Sequence, residues 1–308
     1  GMISEGIFND YGSYLRSVFP DFKVQKLSVN VGLTCPNRDG SKGRGGCTYC
    51  INSSFSPSYV GKGGVAEQLE AGKRFFGRKY PNMKYLAYFQ SYTNTYSSLD
   101  HLVALYEEAL ATPDVVGLVV ATRPDCVDEE VLDYLAEVNQ RTFVAIEYGV
   151  ESTLDKTLER VHRGHTFAEA EKAIHDTATR GITVGAHLII GLPGEAYSDF
   201  ELHIDRLASL PITTLKMHQL QILKGTIMAH QYRSNPETFS LFTPEEYVDV
   251  ICRLLRRLPR RIYLDRFVSQ SPPELLMAPK WGWKNYQFVH LIERRMRENG
   301  WQQGDLFL

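Results

Sequence analysis

Apolar and polar positions along this chain follow two rhythms in turn. Short, β-rich apolar runs recur at Lys26–Gly32, Tyr85–Gln90, Val116–Thr122, Phe143–Val150, Ile182–Gly191 and Thr213–Leu223. Between them, apolar residues take helical spacing near Val65–Arg78, Leu99–Ala111, Asp128–Asn139, Ser152–Arg160, Thr166–Arg180 and Tyr197–Ser209. Asp128 and Thr166 suit helix N-caps, and Gly181 suits a helix stop. Six strand–helix units in alternation predict a parallel sheet with right-handed crossovers. Near-continuous apolar strands such as Ala186–Ile190 predict helices over at least one face of it. A closed eightfold barrel would need two further units, whereas residues 225–308 supply one clear strand, Arg261–Val268, and two basic helices, Pro244–Leu258 and Asn285–Asn299. The expected fold is α/β: a partial (β/α)6 TIM-like barrel over residues 26–224, preceded by a segment over 1–25 and followed by a C-terminal extension over 225–308.

Composition narrows the class without naming it. A hydrophobic fraction of 43% with 23% charged residues is ordinary for a globular protein, and 308 residues can bury an ample core. A net charge of −2 argues against coating nucleic acid by bulk electrostatics, while leaving room for a local basic patch. Five cysteines are too few for a secreted disulfide scaffold. No secretory signal is visible, and the longest apolar runs, such as Val115–Ala121, are far below membrane-spanning length. The expected setting is a reducing cytoplasm, with no membrane partner.

Candidate chemistry gathers where barrel logic places it, at the C-terminal ends of the strands. That rim would carry Cys35, the stretch from Gln90 to Thr95, Thr122–Asp125, Glu147–Glu151, His187–Glu195 and His218–Gln221. The run Cys35-Pro-Asn-Arg-Asp-Gly-Ser-Lys-Gly-Arg-Gly-Gly-Cys47-Thr-Tyr-Cys50 stands out. Cys47 and Cys50 have the two-residue gap that lets two thiolates bind one metal centre, and the Gly-rich loop before them is flexible enough to wrap it. Three close thiolates suit an iron–sulfur cluster with one iron lacking a protein ligand. The rival is a structural zinc site completed by His162 or His165, although zinc sites usually pair two motifs and no second Cys-x-x-Cys is present. Cys126 and Cys252 lie far away and read as buried thiols.

These cysteines resemble the signature of the radical S-adenosylmethionine (SAM) superfamily, with the usual Cys-x3-Cys-x2-Cys lengthened to Cys-x11-Cys-x2-Cys. The lengthened form is similar to that of a bacterial subgroup and of the catalytic subunit of the Elongator complex. The resemblance implies that Cys35, Cys47 and Cys50 hold a [4Fe-4S] cluster whose fourth iron is chelated by SAM. It also implies that Tyr49 packs near the adenine. A second likeness, Glu147-Tyr-Gly-Val-Glu-Ser152 followed by Arg160-Val-His-Arg-Gly-His165, extends to oxygen-independent coproporphyrinogen oxidase. It implies that Glu151 receives the ribose hydroxyls, as a carboxylate can, and that Arg163 meets the SAM carboxylate. A third, Gly185-Ala-His-Leu-Ile-Ile-Gly-Leu-Pro-Gly-Glu195, is similar to the fifth-strand motif that approaches the adenine. The family's Gly-Gly-Glu after the second strand is absent. Gln90-Ser-Tyr-Thr-Asn-Thr-Tyr96 stands there instead, making Gln90, Ser91 and Thr93 candidates for the SAM amino group.

By the same resemblance, a reduced cluster would cleave SAM to methionine and a 5′-deoxyadenosyl radical that takes hydrogen from an unactivated carbon. A reductant such as flavodoxin or ferredoxin is implied. Tyr96, Glu147, His187, His218, Gln219 and Gln221 are the candidates for substrate contact or proton transfer on the rim, with a core histidine as the bland reading of His187. Likeness to the Elongator subunit points to the side chain of a wobble uridine in tRNA as the substrate. The alternatives are a radical SAM enzyme acting on a small metabolite, or a non-catalytic iron–sulfur or zinc protein that binds RNA or a partner. Arginines at 253, 256, 257, 260 and 261, and at 294, 295 and 297, could track phosphates or simply form solvated helix faces. Lys42 and Arg44 could meet a polyanion, and Trp281-Gly-Trp283 could stack a base or pack in the core.

Overall fold

The computed structural model describes residues 6–32, 47–49, 63–77, 80–90 and 95–307. Cys35, Cys50, Ser91 and Thr93 lie outside the described residues, as do Lys42 and Arg44. Helix α1 (Tyr11–Val18) precedes strand β1 (Val24–Val29). Then follow α2 (Val65–Gly77), β2 (Lys84–Phe89), α3 (Leu99–Leu110), β3 (Val115–Thr122), α4 (Glu129–Arg141) and β4 (Phe143–Glu151). Helices α5 (Asp155–Arg160) and α6 (Phe167–Ala178) lead to β5 (Thr183–Ile190), α7 (Tyr197–Ala208) and β6 (Thr214–Gln219). The tail contributes β7 (Ile222–Leu223), α8 (Ile227–Ser234), α9 (Pro244–Leu255), β8 (Tyr263–Arg266), β9 (Leu276–Ala278) and α10 (Asn285–Asn299).

Among the described residues the main sheet has seven strands in the order β1-β2-β3-β4-β5-β6-β8, every neighbour parallel, curled into a half-barrel. The alternation of strand and helix patterns thus gives the partial TIM-like barrel it predicts. The tail strand is no appendage, since β8 extends the sheet in register with Thr214 and Leu215 of β6. The expected Thr213–Leu223 strand divides at Leu220–Gln221, and its second part pairs antiparallel with β9 instead of continuing the barrel. Among the described residues no helix is long and apolar enough to cross a membrane.

The two faces of the sheet are packed by different partners. Leu27, Phe89, Val120, Ile146, Leu188 and Met217 point into one large core with the helices, and that core runs on through Tyr247 and Leu254 of α9 to Phe288 and Met296 of α10. The opposite, concave face is filled at one end by α1, whose Tyr11 and Leu15 pack on Leu86, Tyr88, Val119 and Ala145. Asp10 caps α1 by accepting from the Ser13 amide at 2.8 Å. The backbone of Asn9 and Asp10 meets Leu264 of β8, with Leu264 N–H donating to Asn9 O at 2.8 Å. Gln303 secures the same segment, accepting from Asn9 N–H at 2.8 Å and donating its own N–H to Ile7 O at 2.9 Å.

Candidate active site

Alternation along the strands gathers charge on the concave face beyond α1. Lys26 of β1, Tyr88 of β2, Glu147 of β4, His187 of β5, Lys216 of β6 and Asp265 of β8 form one network. Glu147 is its hub, with 3% of its side chain exposed. Its Oε1 accepts from Tyr88 OH at 3.0 Å and lies 2.7 Å from His187 Nε2. Lys26 Nζ stands 3.6 Å from its Oε2, and Lys216 Nζ 3.8 Å from Oε1. Lys26 Nζ donates to Asp265 at 3.0 Å and lies over the rings of Tyr11 and Tyr88, while Lys216 Nζ donates to Tyr88 OH at 2.9 Å. Burial alone would raise the Glu147 pKa, but Lys26, then Lys216 and the His187 hydrogen bond hold it well below the usual carboxylate range. Burial works equally against charge on Lys26, and Asp265 and Glu147 outweigh it. Glycine permits the crowding: a Cβ on Gly185, the register partner of Glu147, would sit 2.5 Å from Thr214 Oγ1 and 3.0 Å from Glu147 Cγ.

At the C-terminal end of β4 the strand is bulged and Glu151 adopts a left-handed backbone conformation, φ +67°. Its side chain is buried, and burial pushes its pKa up against the pull of Arg163. Among the described residues Glu151 Oε1 has no hydrogen-bond partner. Arg163 donates through Nη2 to Gly149 O at 3.0 Å, and its Nη1 lies 3.8 Å from Cys47 Sγ. The guanidinium occupies the room that a side chain at position 149 would take, since a Cβ there would lie 2.6 Å from Nη2. Cys47 is buried, and the chain beside it is fastened twice: Thr48 N–H donates to Val161 O at 3.0 Å and Met228 N–H donates to Thr48 O at 2.8 Å. Tyr49 packs beside Val161, Ile189, Leu192 and Leu220.

Behind this ledge a buried polar chain joins β4 to the loop after β5. Glu195 accepts from Ser152 Oγ at 2.7 Å and from His203 Nε2 at 3.0 Å. The Thr153 amide donates to His203 Nδ1 at 3.3 Å, so the ring carries its proton on Nε2. The Gly191-Leu-Pro-Gly194-Glu195 turn is thereby pinned to the segment that presents Glu151.

Of the sequence-predicted residues, Cys47, Tyr49, Glu151 and Arg163 come together, and Glu147 and His187 bond directly in the layer below. Gln90 is half-buried at the end of β2. His218 is partly buried at the end of β6, its Nδ1 3.2 Å from Gln219 O, and burial lowers its pKa to about 4. His165, a candidate zinc ligand, points its Nε2 at Val150 O at 3.3 Å, and burial lowers its pKa to about 3. Cys126 and Cys252 are buried thiols, with that of Cys252 pushed up to about 12 by burial. Sequence reasoning missed Lys26, Tyr88, Lys216 and Asp265. A signal was available: in Thr214-Leu-Lys-Met-His-Gln219 polar residues occupy every second position, the mark of one polar face.

Most of the arginines near the chain's end pair within the chain. Arg253 pairs with Asp249, Arg256 with Asp305 and Arg257 with Glu201 and Asp205. Arg260 and Arg261 donate to backbone carbonyls, including Gly6 and Ile212. Arg294 pairs with Glu298 and Arg295 with Asp249, while Arg297 is exposed, so most of these residues form a paired helix face as one of the two readings expects.

A buried carboxylate oxygen without a partner among the described residues, an arginine beside a buried thiol and a glycine that leaves space for it make a donor set suited to SAM and an iron–sulfur cluster. Comparison with known proteins points the same way. Residues 29–207 match the family model "Radical SAM superfamily" and residues 212–298 match "Radical_SAM C-terminal domain". The chain is 35% identical to Protein YhcC of Escherichia coli (strain K12) over 281 residues, covering 91% of this chain and 89% of that protein. It is 22% identical over 191 residues to a tRNA uridine(34) acetyltransferase of Methanocaldococcus jannaschii, covering 60% of this chain and 33% of that protein. Its fold is similar to that of the archaeal Methanocaldococcus infernus Elp3 lacking residues 1–46, with a TM-score of 0.69 and 16% identity over 92% of this chain and 64% of that one. The chain therefore belongs to the radical SAM superfamily, whose members use a [4Fe-4S] cluster and S-adenosylmethionine.

Proposed function

We propose that this protein is a radical SAM enzyme that modifies the side chain of a wobble uridine in tRNA. In this reading Cys35, Cys47 and Cys50 hold the cluster, Arg163 meets the SAM carboxylate and Glu151 takes the ribose hydroxyls. Tyr49 packs against the adenine, and Gln90, Ser91 and Thr93 serve the amino group. When bound, the cluster and SAM supply a carbon radical able to take hydrogen from an unactivated position, once a donor such as flavodoxin or ferredoxin has reduced the cluster.

The observation that carries a catalytic reading is the Glu147–His187 pair. His187 places Nε2 at 2.7 Å from a carboxylate that Lys26, Lys216 and Tyr88 keep ionised and still. Nε2 then holds the proton and Nδ1 keeps a lone pair. His187 is 17% exposed at its side chain, and among the described residues it makes no other hydrogen bond. It can accept a proton from substrate at Nδ1 while Glu147 steadies the imidazolium. His218, held neutral by its lowered pKa, offers a hydrogen bond without charge.

The substrate class rests on relationship to an enzyme named for tRNA uridine 34. A small-metabolite substrate is the second reading, favoured by the internally paired arginines. Nucleoside profiling of tRNA from cells lacking the protein tests the choice. Loss or accumulation of a modified uridine at position 34 is expected. An unchanged profile, from a protein that forms 5′-deoxyadenosine after anaerobic reconstitution with dithionite and SAM, would transfer the assignment to a metabolite. No 5′-deoxyadenosine at any iron loading would leave a non-catalytic cluster or zinc protein.

A further inference from the structure

Beside the half-barrel mouth lies a second hollow that the proposed chemistry leaves unused. It encloses about 570 Å³, within the size range of small-ligand sites. One wall comes from the C-terminal ends of β6 and β8. There Gln219 Nε2 donates to Ser269 O at 3.2 Å, and Ser269 N–H returns a bond to Gln219 Oε1 at 3.1 Å. Gln221 Nε2 donates to the same carbonyl at 3.2 Å, giving a stiff wall of amides and hydroxyls. The facing wall is aromatic. Trp281 is fixed by a 2.8 Å hydrogen bond from Nε1 to Phe242 O and by Tyr247 and Phe288, with ring centroids 5.2 and 5.3 Å away. Trp283 leans on Phe288 at 5.1 Å.

Two further features set its chemistry. Lys280 and Lys284 line the hollow, are exposed, and form no ion pair among the described residues, in contrast to the tied arginines of α9 and the segment after it. Trp283 also borders a neighbouring hollow of about 730 Å³, together with His290 and Tyr286, the latter 68% exposed. Trp283 is thus a ridge between two hollows, with aromatic surface and cationic charge on the same stretch of chain. A duplex could not enter such concavities, and an apolar helix would leave the amide wall and the lysines unmatched. Unpaired nucleotides match all three: bases stack on aromatic faces, their edges meet amides and hydroxyls, and phosphates meet lysines.

We propose that Trp283, Lys280 and Lys284, with the Gln219–Ser269 wall, form a docking site for unpaired nucleotides of an RNA loop, resting on the tRNA reading of the active site. The rim position would let one nucleotide anchor here while its neighbour enters the barrel. The test is fluorescence anisotropy of the reconstituted full-length protein with a labelled tRNA anticodon stem-loop across a salt series. Trp283→Ala should weaken binding about tenfold, as expected for loss of one stacked base, and Trp283→Phe should restore most of it. The double variant Lys280→Glu/Lys284→Glu keeps the aromatic wall and removes only exposed charge. It should weaken binding and lower the salt slope by about 1.4, for two single-strand phosphate contacts. Lys172→Glu, on the outer helix α6, controls for half of that change in net charge and should change little. Wild-type affinity and slope in the lysine double variant would overturn the site while leaving the tRNA reading standing. Absence of stem-loop binding by the unaltered protein would overturn both.

Discussion

Gly117 and Gly149 are both strand glycines whose missing methyl matters, yet for different reasons. A Cβ at 117 would lie 2.5 Å from the backbone oxygen of Phe143, which cannot yield without moving β4. Gly117→Ala should therefore cost about 1–3 kcal/mol of stability, read by chemical denaturation. At 149 the obstacle is the end of the Arg163 side chain, which can swing away. Gly149→Ala should leave the denaturation midpoint nearly unchanged and lower 5′-deoxyadenosine formation at least about tenfold, because the guanidinium leaves its place beside Cys47 and Glu151. Glu147→Gln should destabilise the fold by about 3 kcal/mol at neutral pH, since two half-buried lysines lose one of the two anions they share. Glu147 has a depressed folded pKa, so its contribution is complete above the unfolded value of 4.5 and fades as pH falls towards the folded one. The gap between wild type and variant should accordingly narrow in acid below pH 4.5. The meeting of Cys47, Glu151 and Arg163 was legible because motifs carried those residues. Lys26, Lys216 and Asp265 belong to no motif, and their partners, from 49 to 239 residues away, meet only when the sheet curls.

Elements with strong local signals appear where the sequence places them. Thr166 caps α6 in a reciprocal box, accepting from Glu169 N–H at 3.2 Å while Glu169 Oε1 accepts from Thr166 N–H at 3.0 Å. Thr166→Ala should cost about 1 kcal/mol, measurable as a shift in denaturation midpoint. Helix α1 escaped prediction: it spans 8 residues, and its apolar positions are mostly tyrosine and leucine spread through a polar segment. Its placement depends on the concave face it fills and not on local propensity. The seventh strand escaped a sheet assignment for a related reason. At 4 residues it is too short to declare its neighbour, and pairing with Thr214 and Leu215 decides its membership.

For the whole molecule, acid should act through histidines before carboxylates. His165 and His218 have folded pKa values lowered to about 3 and about 4 from 6.5. Depressed bases contribute stability that is intact above the unfolded pKa and is lost as pH falls towards the folded one. Each should remove about 1.4 kcal/mol per pH unit between about 6.5 and 4, so denaturation midpoints should fall over that window and level off above it. Replacing either histidine with glutamine should flatten the dependence by about half. The clasp at the base of the half-barrel has a consequence in time. Leu264 and Gln303 hold Ile7–Asp10, so the segment that leads into α1 is not secured until residues 264–303 have left the ribosome. Until β8 is made, Lys26 and Lys216 lack Asp265, and the charge network is completed in one late step. Such closure across nearly the full chain length makes folding slow, and nascent chains stalled before residue 264 should recruit chaperones that the released protein does not need.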